Sequence, residues 1–196
     1  KPITAEVLDP RATLLGAEQE RWLMQRLTTG NSRWNILGQQ VMMARVDRVA
    51  GEEARYSMDQ WAGYDVARRR LLSFLAERRV PNPVVLTGDI HSNWVNDLHI
   101  DFDRGEDPIV ATEFVGTSIS SGGSGREKPA TWEALLSENP FVRFHDTERG
   151  YVRCTVTPQG WRSDYQVVPF VDRPGAPKTT RASFVVEHGR PGLQDA

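Results

Sequence analysis

The stretch Val84-Val85-Leu86-Thr87-Gly88-Asp89-Ile90-His91-Ser92-Asn93-Trp94 decides how this chain is read. Val84, Val85 and Leu86 form a short, continuously apolar run, the pattern of a strand covered on both faces. The run gives way to Gly88, which lets the backbone turn closely, and two metal-ligand residue types, Asp89 and His91, follow at once. In open α/β sheets, ligands bind where strands deliver their carboxyl ends into loops. An Asp-x-His spacing outside a continuing strand can aim a carboxylate and an imidazole at one ion. The competing reading is structural: Asp89 caps a turn and His91 is hydrogen-bonded in the core.

Upstream, Val80-Pro81-Asn82-Pro83 ends a helix predicted from about Tyr64 to Arg79, with Ala67, Leu71, Phe74 and Leu75 as its apolar stripe. Arg68, Arg69 and Arg70 point roughly 100° apart on that helix, so they make no single patch and are expected on a solvated face. A polar loop over Asp47–Trp61 precedes the helix, and before it a strand is expected over Arg33–Met43. Gln39 and Gln40 near the end of that strand would need partners if buried. A first amphipathic helix is expected from Gly16 to Thr29, stopped by Gly30-Asn31-Ser32. Strand, helix, strand in this order makes a right-handed parallel crossover the natural arrangement.

Beyond Asn93 the pattern changes. Trp94–Ile100 and Pro108–Phe114 read as strands joined by an Asp/Gly turn, and residues 141–145, 151–157, 161–168 and 182–187 as an antiparallel meander. Asp101, Asp103, Gly105 and Asp107 lack the glycine position and closing glutamate of a calcium loop, so a polar hairpin turn is expected there. The Ser/Gly-rich run Phe114-Val115-Gly116-Thr117-Ser118-Ile119-Ser120-Ser121-Gly122-Gly123 is either an anion cradle or a plain surface loop. It is no Walker loop, and Gly116-Thr117-Ser118-Ile119-Ser120 lacks the closing glycine of a nucleophile elbow.

With 196 residues, 39% hydrophobic and 26% charged, the chain is long enough for one domain with a sizeable core. A net charge of -2 argues against specific nucleic-acid recognition, and no apolar run is long enough to span a bilayer. The single cysteine, Cys154, excludes an internal disulfide and any zinc site built from several thiolates.

Taken together, these residues resemble the calcineurin-like metallophosphoesterases, and within them the C-terminal part of PhoD-like alkaline phosphatases and phosphodiesterases. The resemblance is carried by Glu18-Gln19 with Trp22-Leu23, Gln39 to Met43, Thr87 to Trp94, Glu113 to Ser120 and Arg149-Gly150-Tyr151-Val152-Arg153. It implies an α/β fold: the C-terminal half of a metallophosphoesterase-type β-sandwich flanked by helices, with a βαβ unit in a mixed sheet followed by antiparallel strands. Residues 1–93 would form the helix-strand-helix-strand unit and 94–196 the mostly antiparallel part of one domain.

The resemblance further implies a metal-dependent hydrolase of phosphate mono- or diesters using Ca²⁺ and Fe³⁺, with Asp89 and His91 as metal ligands. Gln40 would stand behind the ligands, and Asn93, Thr117 and Ser118 would line the substrate. Asp89 stands where the wider superfamily has a histidine, and a carboxylate suits hard cations. The superfamily's earlier motifs, Gly-Asp-x-x-Asp and Gly-Asn-His-Asp/Glu among them, are absent. Two ligands are too few for a two-metal centre. The missing motifs give the expectation of a C-terminal half that works with a missing N-terminal half, whereas the opening Lys1-Pro2-Ile3, which shows no leader pattern, fits a removed signal as well as a piece of a longer chain. The resemblance also implies twin-arginine export to the periplasm or the exterior. The alternative is a non-catalytic binding module that keeps the fold without the chemistry.

Overall fold

The computed structural model describes residues 1–104, 107–125 and 132–194. Five strands make a mixed sheet: β1 (Asn35–Gly38), β2 (Pro83–Thr87), β3 (Asn93–Leu98), β4 (Ala111–Val115) and β5 (Val142–Asp146), in the order β1-β2-β4-β3-β5. β1, β2 and β4 run parallel, while β3 runs antiparallel to both β4 and β5. β6 (Arg149–Val156), β7 (Gly160–Val168) and β8 (Thr179–Glu187) form a separate antiparallel sheet. Among the described residues there are also the helices α1 (Ala17–Thr29), α2 (Asp65–Glu77) and α3 (Trp132–Glu138) and a 3-10 turn at Trp61–Tyr64.

Alternation along the central strands divides the core into two layers. Val85, Trp94, Leu98 and Val115 pack with Ala67, Leu71, Leu72 and Leu75 of α2 and with the Met42–Val46 segment. Val84, Val95 and Phe114 face the other way and meet Trp161, Tyr165 and Val186 of the second sheet. The Tyr165 hydroxyl donates to the Trp94 carbonyl at 2.6 Å, which satisfies a buried polar group and pins one sheet on the other. The mixed α/β architecture is therefore the one expected, with the apolar run at Val84–Leu86 covered on both sides as its composition required.

Several local expectations are corrected. The first strand stops at Gly38 instead of Met43. Gln39 folds back, its Oε1 accepting from the Trp61 indole at 3.0 Å and from the Val41 amide at 3.2 Å. The segment at 141–145 does not join the meander; as β5 it pairs with β3, so only β6, β7 and β8 meander. α3 lies where no element was expected.

The arginines of α2 are not a solvated face. Arg68 is fully buried, its guanidinium donating to Asp65 Oδ1 at 2.6 and 2.9 Å and to the carbonyls of His99 and Ile100. Arg69 reaches Asp65 and Asp101, and Arg70 pairs with Glu20 of α1. Arg68 and Arg69 share Asp65 at the start of α2, and the divergence of the side chains takes Arg69 on to Asp101 and Arg70 to Glu20. Asp101 and Asp103 belong to the turn between β3 and β4, as a polar hairpin turn should; Gly105 lies outside the described residues.

β7 carries a pH-dependent contribution to stability. Asp164 is buried, and hydrogen bonds from Ser183 Oγ (2.6 Å), Arg153 Nη2 (2.7 Å) and Arg162 Nε (2.8 Å) hold its pKa down at about 2 from an ordinary 3.8. Because the folded value is depressed, the stabilisation is present above about pH 4 and is lost as pH falls toward 2. Melting temperatures of the parent and Asp164→Asn should therefore differ most above pH 4 and converge toward pH 2. A constant gap across that range would rule out this origin.

Candidate metal site at the ends of the parallel strands

β4 lies between β2 and β3, so the chain leaving β2 must pass over the carboxyl end of β4 before β3 can begin. Residues 88–92 make this crossing. The Gly88 amide donates to the Gln40 carbonyl at 3.1 Å, and the Gly116 amide to the Thr87 carbonyl at 2.9 Å, which fixes where the loop leaves the sheet. The tightness of the crossing shows in the backbone: Asp89 has φ 68° and His91 φ 57°. Two non-glycine residues in the left-handed region within three positions cost roughly 1–2 kcal/mol each, although Asp and His tolerate it better than most. Strain of this kind persists where the surroundings over-determine it, and functional sites are where it collects.

Both side chains are exposed, and among the described residues neither makes a hydrogen bond. The structural alternative, a capped turn and a core histidine, is thus not what these side chains do. The remaining histidines lie elsewhere. His145 is packed between the indoles of Trp94 and Trp132, and the His99 ring nitrogen Nδ1 lies 2.7 Å from the Asp107 carbonyl. His188 is exposed at the end of β8, beside the amino end of β2. Among the described residues no three His, Cys, Asp or Glu side chains converge as a metal cage. Among the described residues, Asp89 and His91 would offer two donors to an ion at this loop, a fit for part of a site and not for a whole one.

The floor beneath the loop is built from the other expected residues. Asn93 is buried, and its Oδ1 accepts from the Thr117 amide at 3.1 Å. Its Nδ2 donates to Asp146 Oδ1 (3.4 Å) and to the Glu148 carbonyl (3.2 Å), so both ends of the amide are engaged. Thr117 and Ser118 are half-buried, and Ser118 Oγ donates to the Ser121 carbonyl at 2.7 Å. The Gln40 side chain is exposed, while its backbone carbonyl receives Gly88.

Two residues without an expected role hold this arrangement from behind. Glu113, fully buried on β4, accepts from the amides of Met43 (2.6 Å) and Ala44 (3.0 Å), from Asn96 Nδ2 (2.9 Å) and from the Thr87 hydroxyl (3.4 Å). Burial pushes its pKa up, and these four donors oppose that rise. Arg149 lies beneath the loop with its guanidinium on the His91 carbonyl. For Glu113 the sequence signals were a charged residue inside the buried run Ala111-Thr112-Glu113-Phe114-Val115 and its place in a stretch that carries the resemblance.

A model of the PhoD-like phosphatase family matches residues 1–165. The chain belongs to the PhoD-like phosphatase family. Alkaline phosphatase D of Bacillus subtilis (strain 168) is 46% identical over 194 residues, which is 99% of this chain and 33% of that protein. A solved structure of PhoD superposes with a TM-score of 0.93 at 46% identity, covering 99% of this chain and 37% of the other. This PhoD-like chain thus spans about a third of the length of the curated relative it matches.

Proposed function

We propose that this chain contributes part of the active site of a metal-dependent phosphoester hydrolase, with Asp89 and His91 as two of its metal ligands. The observation that carries the reading is the unengaged, exposed Asp89–His91 pair, held in left-handed backbone over the carboxyl ends of β2 and β4. Bound cations, taken from the family resemblance as Ca²⁺ and Fe³⁺, would polarise a phosphate oxygen and lower the pKa of bound water. The residues here present a carboxylate and an imidazole to those ions. Thr117 and Ser118, on the rim beside Gly116, are placed to meet the phosphate or its leaving group, and Asn93 fixes the Thr117 backbone. Phosphate mono- and diesters are both admitted. The same resemblance carries the expectation of a periplasmic or extracellular protein reached by twin-arginine export. Among the described residues no helix is long and apolar enough to cross a membrane.

The remaining ligands are assigned to the rest of the same polypeptide, the N-terminal half in this reading. An open side of the sandwich supports this. β1 and β6 are the outermost strands of their sheets, and Trp34 Nε1 donates to the Thr157 carbonyl at 2.8 Å, tying their ends together. Ile36 on β1 and Tyr151 and Val156 on β6 are exposed along this side. Between the sheets there runs a groove of about 260 Å³ lined by Leu86, Phe114, Ile119, Tyr151, Val152 and Cys154. Unpaired edges beside apolar surface are what a further strand layer would cover.

The test uses the full-length protein. Asp89→Ala and His91→Ala are each expected to lower hydrolysis of p-nitrophenyl phosphate and its bis-ester by about 100-fold or more, with metal lost by elemental analysis. Wild-type turnover and metal content in either variant would sink the assignment of that residue.

A further inference from the structure

The Asp89–His91 loop is strained and solvent-exposed, so something beneath it must fix the direction of the imidazole. Arg149, the first residue of β6, is buried at that place. Its Nη1 donates to the His91 carbonyl at 2.7 Å and to the Thr147 carbonyl at 2.8 Å, and Thr117 Oγ1 lies 3.4 Å away. Its Nη2 reaches the Gly122 carbonyl at 3.4 Å. One guanidinium therefore joins three segments: the 88–92 crossing, the Ser/Gly loop and the turn into β6. The planar fork of arginine suits this, whereas a lysine is a point donor that cannot reach both arms. Gly122 completes the contact from above. Its φ is +82°, and a Cβ there would lie 3.1 Å from Arg149 Nη2 and 3.8 Å from His91 Nδ1.

We propose that Arg149 is a positioning residue for the metal site, bracing the His91 backbone against the Ser/Gly loop so that the imidazole is presented to the ion in one orientation. The proposal rests on the reading of Asp89 and His91 as metal ligands. Groups that orient a ligand from behind typically change metal affinity by about 10–100-fold when removed. The carbonyls of His91, Thr147 and Gly122 that Arg149 grips belong to the loops around the site, which is why its task is to hold them.

The experiment takes the full-length protein, stripped with a chelator, and titrates it with Ca²⁺, following bound Ca²⁺ by equilibrium dialysis and turnover of p-nitrophenyl phosphate. Arg149→Lys and Gly122→Ala should each raise the Ca²⁺ concentration for half-saturation by about 10-fold or more. Saturating Ca²⁺ should restore most of kcat. Gly122 is on the exposed loop, so its variant keeps the test alive if Arg149→Lys folds poorly. Val186→Ala, which opens a cavity in the remote inter-sheet core, should destabilise the protein while leaving half-saturation within about twofold. The brace is overturned if Gly122→Ala binds Ca²⁺ like the parent, or if Val186→Ala weakens binding as much as Arg149→Lys does. The two readings fail separately. Parent-like Ca²⁺ binding in Asp89→Ala and His91→Ala removes the metal site itself. Loss there with parent-like binding in the Arg149 and Gly122 variants removes only the brace.

Discussion

Glutamine at position 113 is expected to cost about 2–4 kcal/mol, a fall in melting temperature of roughly 5–15 °C for a chain of this size, although it changes a single atom of the side chain. The reason is that every neighbour of the Glu113 carboxylate is a donor. Oε1 receives the Met43 amide and the Thr87 hydroxyl, and Oε2 receives the Ala44 amide and Asn96 Nδ2. Whichever way a glutamine amide turns, its NH₂ meets a backbone N–H. Asn96 offers partial relief, because its Oδ1 makes no hydrogen bond among the described residues and a flipped amide would turn it toward the new donor. Even then the Ala44 amide, or the Met43 amide in the other orientation, stays buried without an acceptor. Glu113→Ala adds a cavity to the same loss and should be worse still. Urea unfolding of the two variants beside the parent measures this, and a glutamine variant within 0.5 kcal/mol of the parent (about the size of an ordinary surface change) would show that the pocket holds a neutral acid. The effect should reach the site as well, because Glu113 ties the Met43–Ala44 segment and Thr87 together directly behind Gly88.

What was legible in advance follows the range of the interactions. The run Val84-Val85-Leu86 before Gly88 could be read as a doubly covered strand because burial on both faces leaves a local apolar signature. The helix over Asp65–Glu77 showed itself through Ala67, Leu71 and Leu75 for the same reason. The partner of β5 could not be read, since alternation fixes which face a residue takes and says nothing about which strand lies beside it. Nor could the burial of Arg68. It depends on Asp65 one turn away and on the carbonyls of His99 and Ile100 some thirty residues on. The candidate site divides in the same way. Asp89 and His91 are residue types that announce metal chemistry, and they share one short loop. Glu113 and Arg149 act on backbone amides and carbonyls supplied by distant segments, and backbone groups leave no mark in a sequence. The resemblance had marked both stretches, Glu113 to Ser120 and Arg149 to Arg153, without giving either residue a task.

The largest single loss is expected from Gly150→Ala, at more than about 4 kcal/mol or outright failure to fold. Gly150 faces Val167 across the β6–β7 ladder, and its amide donates to the Ser118 carbonyl at 3.3 Å. A Cβ at this position would drive into the Gln166 carbonyl oxygen and lie 2.9 Å from both the Gln166 carbonyl carbon and the Val167 Cα. All three atoms are backbone, so no side chain can swing aside and the strands themselves would have to part. Gly175→Ala separates this clash from conformational preference, since Gly175 has φ +93° but nothing within 4 Å of its Cβ position. That variant should cost only the roughly 1–2 kcal/mol of a left-handed alanine. Thermal unfolding of both proteins gives the comparison, and a Gly150 variant as stable as the Gly175 one would mean that β6 can slide on β7 at little cost. Such sliding would also undo the bracing argument. Arg149 is the neighbouring residue on the same strand, and its grip on the His91 carbonyl is only as firm as the register that carries it.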